Sequence, residues 1–356
     1  MARIHIIAPH RTGRSPSQRY RLEQYMPHLA AQGHDVLYAR LLDEWDDRIL
    51  YSRGRIIAKG FLLVKAFLRR WRDVMRIRKG DTVLLHREAF MTRGIFFERL
   101  IRRRAGLLVY DLDDAIWLMD VSPGNKRLSW LKDPAKTDRI IALADRVIAG
   151  NEHIAEHCQA INADVARIPT VIDTDRYRVL PAPQEDPVTI GWTGSRTSTA
   201  HLVAALPMLQ KLHAQWGHRI RFRVISDIAP ELPGLPVEHV RWNPGTEAED
   251  LAPIHIGIMP LQDDEWSRGK CGFKGLQYMA VGKAVVLADV GVNGTIVRHG
   301  HNGLLARTEA DWLESIGRLV QDADLRRRLG AEARRTVEES WSLQAWRGRF
   351  LERLTP

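Results

Sequence analysis

GKCGFKGLQYMAVGKAVVLADVGVNGTIVRHGHNGLLA, residues 269–306, holds the pattern that decides the fold. A short helical stretch, GFKGLQYMAVG (272–282), runs directly into AVVLAD (284–289), an apolar run of strand length, and then into glycine-rich turns. A helix feeding a wholly apolar strand is the signature of a parallel sheet covered on both faces. Lys270 and Lys274 stand four residues apart and Gln277 three further on, a spacing that lets all three share one helical face. Two lysines at a helix start make a seat for a diphosphate, and the Gln277 amide can bond a ribose hydroxyl. Residue by residue, a solvated lysine-bearing helix is the favoured reading; the run taken whole points elsewhere.

Working outward, the same rhythm recurs. Before this run, VTIGWTG (188–194), RIRFRVIS (219–226), VEHVRW (237–242) and HIGIMPL (255–261) read as strands, with a helix over 200–215. In the first half, IHIIA (4–8), TVLLH (82–86), LLVYDL (107–112), RVIAG (146–150) and ARIPT (166–170) read as strands, and 17–36 as a helix running through Pro27. The stretch 178–188 carries three prolines and reads as a linker. The expected architecture is α/β: two doubly wound, Rossmann-like domains over 1–180 and 181–356, with the terminal helices in the second. Ligands of such sheets bind at the carboxyl ends of the strands, here in a central cleft faced by both domains.

Charge is unevenly spread. Residues 1–180 hold 32 Lys+Arg against 22 Asp+Glu, whereas 181–356 hold 21 of each, so the whole excess of ten lies in the first half. That half faces something anionic. Within it, 53–79 holds ten Lys+Arg against the single acid Asp73, with Ile57, Phe61, Val64, Phe67, Leu68, Trp71 and Met75 at three- and four-residue steps. A basic amphipathic helix of this kind suits an anionic membrane surface; a core-packing helix with a solvated basic face is the alternative. Nucleic acid is disfavoured, because aromatics are not interleaved on a sheet and no helix-turn-helix pattern is present. The two distant cysteines form no disulfide or metal framework, no run is long enough to span a membrane, and the amino terminus reads as a strand rather than a signal peptide. The expected location is the cytoplasm, peripheral at the inner face of the membrane.

Three further clusters could carry chemistry. In GWTGSRTSTAHL (191–202), Gly194 permits close backbone approach, Ser195 offers a hydroxyl and Arg196 a guanidinium suited to phosphate oxygens. Asp113 and Asp114, with Asp111, lie at the end of LLVYDL, where substrates bind; they could orient acceptor hydroxyls or simply cap a helix. His86 and Arg87 stand at another strand end, and Arg19 flanks the first loop with Arg11, Arg14 and Arg21. Trp242, after the strand 237–242, is placed to line a base pocket.

Taken whole, 269–306 resembles the carboxyl-terminal signature of the family-4 retaining glycosyltransferases of GT-B fold. Gly272-Phe273, Gln277-Tyr278-Met279-Ala280, Gly282 and Ala284-Val285-Val286 stand where that family has a Gly-Phe turn, Glu-Ala-Met-Ala, a glycine and a Pro-Val-Val strand. SQRYRLEQYMPHLAAQGHDV, VYDLDDAIW, RVIAGNEHIAEH and IPTVIDTDRY resemble its bacterial surface-polysaccharide branch, so the likeness covers about residues 4–345. The resemblance implies transfer of a sugar from a UDP- or GDP-linked donor, with retention, to a lipid-linked or glycan acceptor. It implies the donor in the second domain and the acceptor in the first; the residues read above then place the donor at Gly194, Ser195, Arg196, Lys270, Lys274 and Gln277, with Trp242 by its position, and the acceptor at Arg19 and Arg87. Asp113, Asp114 and His86 take the catalytic places. No metal or other cofactor is implied, because basic residues and helix dipoles neutralise the leaving diphosphate. The chain departs from the pattern where Gly269 and Gln277 replace a glutamate pair and Thr295 replaces a glutamate. Those departures keep open a non-catalytic glycan- or nucleotide-binding protein, and the shared architecture keeps open a sugar-nucleotide epimerase.

Overall fold

The computed structural model describes residues 2–52, 54–118, 133–179, 186–196 and 198–355. The chain forms two compact units, one of Met1–Thr170 with Trp346–Pro356 and one of Val171–Ala345.

The first unit is built on a six-stranded parallel sheet: β1 (Arg3–Ala8), β2 (Asp35–Arg40), β3 (Thr82–His86), β4 (Leu107–Leu112), β5 (Arg146–Ala149) and β6 (Val165–Arg167), in the order β2-β1-β3-β4-β5-β6. Every residue of β3 and β4 is buried, as expected for strands covered on both faces. β2, at the edge, alternates between exposed and half-buried residues along most of its length. The strand order reverses between β1 and β3, which places a crevice at their carboxyl ends.

The second unit repeats the plan with β7 (Val188–Gly194), β8 (Ile220–Ser226), β9 (Val237–Arg241), β10 (Ile256–Met259), β11 (Ala284–Ala288) and β12 (Leu304–Ala306). Their order, β12-β11-β10-β7-β8-β9, is that of the Rossmann sheet, with the reversal between β7 and β10. The buried tyrosine of the helix Phe273–Ala280 ties it to that point. Tyr278 crosses β10 at Gly257, where an added Cβ would lie 2.3 Å from its ring, and its hydroxyl accepts the Thr193 N–H at 2.7 Å. The end of β7 is thereby fixed by a residue from the run that first disclosed the fold.

Four expectations are corrected. The helix expected over 17–36 is three pieces: Pro16–Arg21, the 3₁₀ turn Glu23–Tyr25 and Met26–Ala31. Pro27 has no N–H to give and clashes with the preceding turn, so it stands in the first turn of a new helix. Pro207 likewise splits 200–215 into Thr199–Ala204 and Leu206–Trp216. The division between units falls at 170/171 rather than 180/181; the proline-rich stretch 178–188 lies largely outside the described residues. Finally, the last eleven residues join the first unit instead of the second. Phe350 stacks on Tyr25 with ring centroids 3.8 Å apart, and Arg146 donates to the Arg353 and Thr355 carbonyls at 3.1 and 2.6 Å. The tail's apolar side chains, Phe350, Leu351 and Leu354, are buried there.

Among the described residues no helix is long and apolar enough to cross a membrane.

Candidate functional sites in the two units

In the second unit the loop after β7 is held open by its own side chains. Ser198 Oγ accepts the Ser195 N–H at 3.0 Å and donates back to the Ser195 carbonyl, while Asp227, just beyond β8, accepts the Arg196 N–H at 2.7 Å. Ser195 and the Arg196 side chain are exposed. Gly194 is packed rather than idle: a Cβ there would lie 2.3 Å from the Trp192 ring and 2.6 Å from Ser198 Oγ.

Against this loop come the lysines. Lys270 is not on the helix with Lys274, as the spacing suggests; it stands in the turn between Glu265–Arg268 and Phe273–Ala280. Gly272, at φ +64° with no room for a side chain beside Ile296, makes that turn possible. Lys270 Nζ lies 4.4 Å from the centroid of the Trp266 ring and Lys274 Nζ 5.8 Å from that of Trp192, both cation–π distances. Their charges converge on His201, in Thr199–Ala204. Burial lowers its pKa from the ordinary value, and Lys274 and then Lys270 lower it further. Asp264 opposes them, and the net direction is downward.

A pH dependence follows. An anionic ligand at this point offsets the lysines and raises the pKa of His201. The complex then binds more protons than the free protein, so affinity rises as pH falls through the interval between the two values. A nucleotide sugar, whose diphosphate is esterified at both ends, does not itself titrate there. Calorimetric titrations across pH 5–8 with the natural chain and His201→Phe are expected to show this rise in the first and not in the second.

The other expected donor residues lie differently. Gln277 is buried and donates from Nε2 to the Tyr177 hydroxyl at 3.0 Å, so it packs its helix instead of sharing an open face with the lysines. Trp242 is half-buried, and its indole N–H donates to the buried Glu247 at 3.2 Å.

The first unit gathers its candidates at the ends of β3 and β4. Asp111 lies inside β4, fully buried, and meets Arg21 and His86; it is part of the sheet rather than of an open site. His86 Nδ1 is 2.8 Å from Asp111 Oδ2 and its Nε2 is 2.7 Å from Ser17 Oγ. His86 is only 1% exposed, and Ser17 is half-buried. Arg87 follows in a left-handed backbone conformation, φ 62°, which a non-glycine residue rarely adopts. The Tyr110 hydroxyl holds its carbonyl at 2.6 Å. From there the guanidinium clamps Asp113 at 2.9 Å and Asp114 at 2.6 Å. Burial pushes the Asp113 pKa up, but Arg87, His86, the Ser17 hydroxyl and Arg21 outweigh it and hold the carboxyl well below the usual range. Asp113 is therefore an anion at neutral pH, able to accept but not to donate. Arg19 is buried with its guanidinium 5.0 Å from the Tyr20 ring centroid. Two carboxylates clamped by a guanidinium are a poor divalent-cation seat, and no group of three metal-ligating side chains occurs among the described residues.

Ser17 and His201 are the site residues that the sequence reading passes over. Each stands within a quoted run, but only the folded sheet brings Ser17 to His86 and His201 to the lysines.

The lysine-bearing half is also where sequence similarity concentrates. Residues 188–322 match the family described as Glycosyl transferases group 1. That stretch lies wholly within the second unit. A curated relative, the D-inositol 3-phosphate glycosyltransferase of Nocardia farcinica, is 42% identical over 111 residues, covering 31% of this chain and 24% of its own length. The chain thus aligns with about a quarter of that relative. Two solved structures share the fold along the whole chain. Sucrose-phosphate synthase from Thermosynechococcus elongatus matches with a TM-score of 0.70 at 15% identity, covering 99% of this chain and 98% of the other. Anabaena HepE in complex with UDP-glucose matches at 0.67 and 14%, covering 99% of each chain. The fold is GT-B, two Rossmann-like units in one chain, as the glycosyl transferases group 1 signature implies.

Proposed function

We propose that this group 1 transferase moves a sugar from a UDP- or GDP-linked donor to a glycan acceptor with retention of anomeric configuration. One observation carries this: Lys270, Lys274 and His201 converge beside the Gly194–Ser198 loop, at the reversal of a Rossmann-order sheet, inside the matched region. The bond from the anomeric carbon to the phosphate oxygen breaks as the bond to the acceptor oxygen forms. The departing phosphate oxygen takes the acceptor proton on the same face of the sugar. Negative charge grows on the diphosphate, and the two lysines stabilise it without a metal ion. In the first unit, ionised Asp113 accepts hydrogen bonds from the acceptor's hydroxyls.

The acceptor is lipid-linked and the product a surface polysaccharide or glycolipid, with the enzyme held peripherally at the inner face of the membrane by its basic 53–79 segment. The concentration of positive charge in the first half supports this. The names and ligands of the relatives support a nucleotide-sugar donor. The test is transfer in EDTA from UDP- and GDP-sugars to membrane extracts, with the product linkage read by NMR. An α-linked donor giving an α-linked product is expected. An inverted product contradicts retention, and a donor bound but never turned over with any acceptor contradicts the enzyme.

A further inference from the structure

The helix Ile56–Met75 turns its apolar face outward. Its inward stripe is Lys59, Leu62, Ala66, Arg70, Asp73 and Val74. Facing solvent are Ile57 at 79% exposure, Phe61 at 73%, Val64 at 60% and Leu68 at 61%. This reverses the rule for a helix on a water-soluble domain. The reversal is built in, because the inward charges have partners. The Arg70 guanidinium donates to the carbonyls of Ala89 at 2.8 Å, Ala39 at 3.1 Å and Ala8 at 3.2 Å, with Asp73 alongside. A second helix, Phe96–Arg104, extends the outward face: Phe96 is 53% exposed and stacks on Trp71 with ring centroids 6.2 Å apart. Apolar side chains this numerous and contiguous mark an interaction surface.

We infer that this two-helix face inserts into the interfacial layer of an anionic lipid bilayer, its apolar side chains among the acyl chains and its cationic rim on the headgroup phosphates. The inference rests on the membrane reading above and changes its physical basis. Ten cations in 53–79 suggest electrostatic attachment, yet the fold uses several of them internally. Lys65 and Arg69 are paired with Asp43 and Asp46, and Lys59 and Arg70 are buried. Exposed cations remain at Arg55 before the helix, at Arg72 in its last turn beside Asp73, and at Arg76, Arg78 and Lys79 after it, with Arg99 and Arg103 on the neighbouring helix. Apolar insertion therefore supplies most of the hold, and the rim selects anionic headgroups. A second copy of the chain fits the face poorly, since it would bring two rims of the same sign together. Trp71 and Phe96, aromatic and half-exposed to exposed, suit the boundary layer.

Co-sedimentation of the full chain with vesicles of phosphatidylcholine, with and without phosphatidylglycerol, tests this. The double variant Phe61→Ser, Leu68→Ser is expected to lose about tenfold in partitioning per side chain. Arg76→Gln and Lys79→Gln are expected to lose about fivefold each, and only on the anionic vesicles. Attachment of the natural chain should survive high salt. Equal binding of the natural chain and the serine variant, both released by salt, would overturn insertion while leaving an electrostatic membrane contact. No binding to any vesicle, with a self-associated natural chain that the serine variant dissociates, would overturn it in favour of a second copy. Donor binding by the second unit should be the same in every variant, so a failed transferase reading shows separately from a failed insertion.

Discussion

Arg21→Met is expected to destabilise the first unit by about 3–5 kcal/mol, the cost of leaving a buried carboxylate without its partner. Arg21 Nε and Nη2 both donate to Asp111, and Nη1 donates to the Ile168 carbonyl at 2.6 Å, with the two side chains 2% and 0% exposed. Removing the guanidinium strands Asp111 in the middle of the sheet beside His86, whose Nδ1 lies 2.8 Å from Oδ2. Asp111→Asn alone should cost a similar amount, because it leaves the guanidinium buried without its counter-charge. The double variant should cost much less than the sum, since it leaves no unpaired charge buried. Urea unfolding of the four proteins gives the coupling directly. Additive single effects would mean that the pair is not the element joining the first helix to β4. The same destabilisation would disturb the Ser17–His86 contact, so a loss of transfer in Arg21→Met belongs to folding and not to chemistry.

The largest functional effect is expected in the second unit. Lys270→Ala with Lys274→Ala should lower kcat/KM by about 10²–10³-fold, the scale of losing donors that stabilise developing charge. Each lysine rests over an indole, and each lowers the pKa of His201. Neither is part of the buried core, so the thermal unfolding of the double variant should stay near that of the natural chain. A retained rate would move the diphosphate away from the β7 loop. Arg196 is the single alternative cation on that loop, its backbone N–H already fixed by Asp227. Arg196→Ala is thus the natural comparison.

Much of this fold is legible in the chain. The apolar runs at 82–86, 107–112 and 188–194 coincide with β3, β4 and β7 residue for residue, because strands buried on both faces announce themselves by composition alone. Helix continuity is less legible. Periodicity runs through Pro27 and Pro207, while the backbone restarts at each. The outward face of 56–75 is the sharpest case. The pattern shows an apolar stripe but not which side of the helix meets the protein, and the deciding contacts, Arg70 with three distant carbonyls, are long-range. For the same reason a spacing of four suggests that Lys270 and Lys274 share a helix. Only the left-handed turn at Gly272 shows that Lys270 precedes it. Asp111, Asp113 and Asp114 look alike in sequence, yet the first belongs to a buried ion pair and the other two to the Arg87 clamp. Ser17 is obscured because its partner lies 69 residues away.

The most direct test is isothermal calorimetry of UDP and GDP against UMP and GMP, on the natural chain and on Lys270→Ala, Lys274→Ala. One diphosphate is expected to bind at least tenfold more tightly than its monophosphate, an increment of about 1.4 kcal/mol, and the double variant should erase that increment while still binding the nucleoside. Equal affinity for diphosphate and monophosphate in the natural chain, or an increment that survives in the variant, would contradict a diphosphate seat formed by the two lysines.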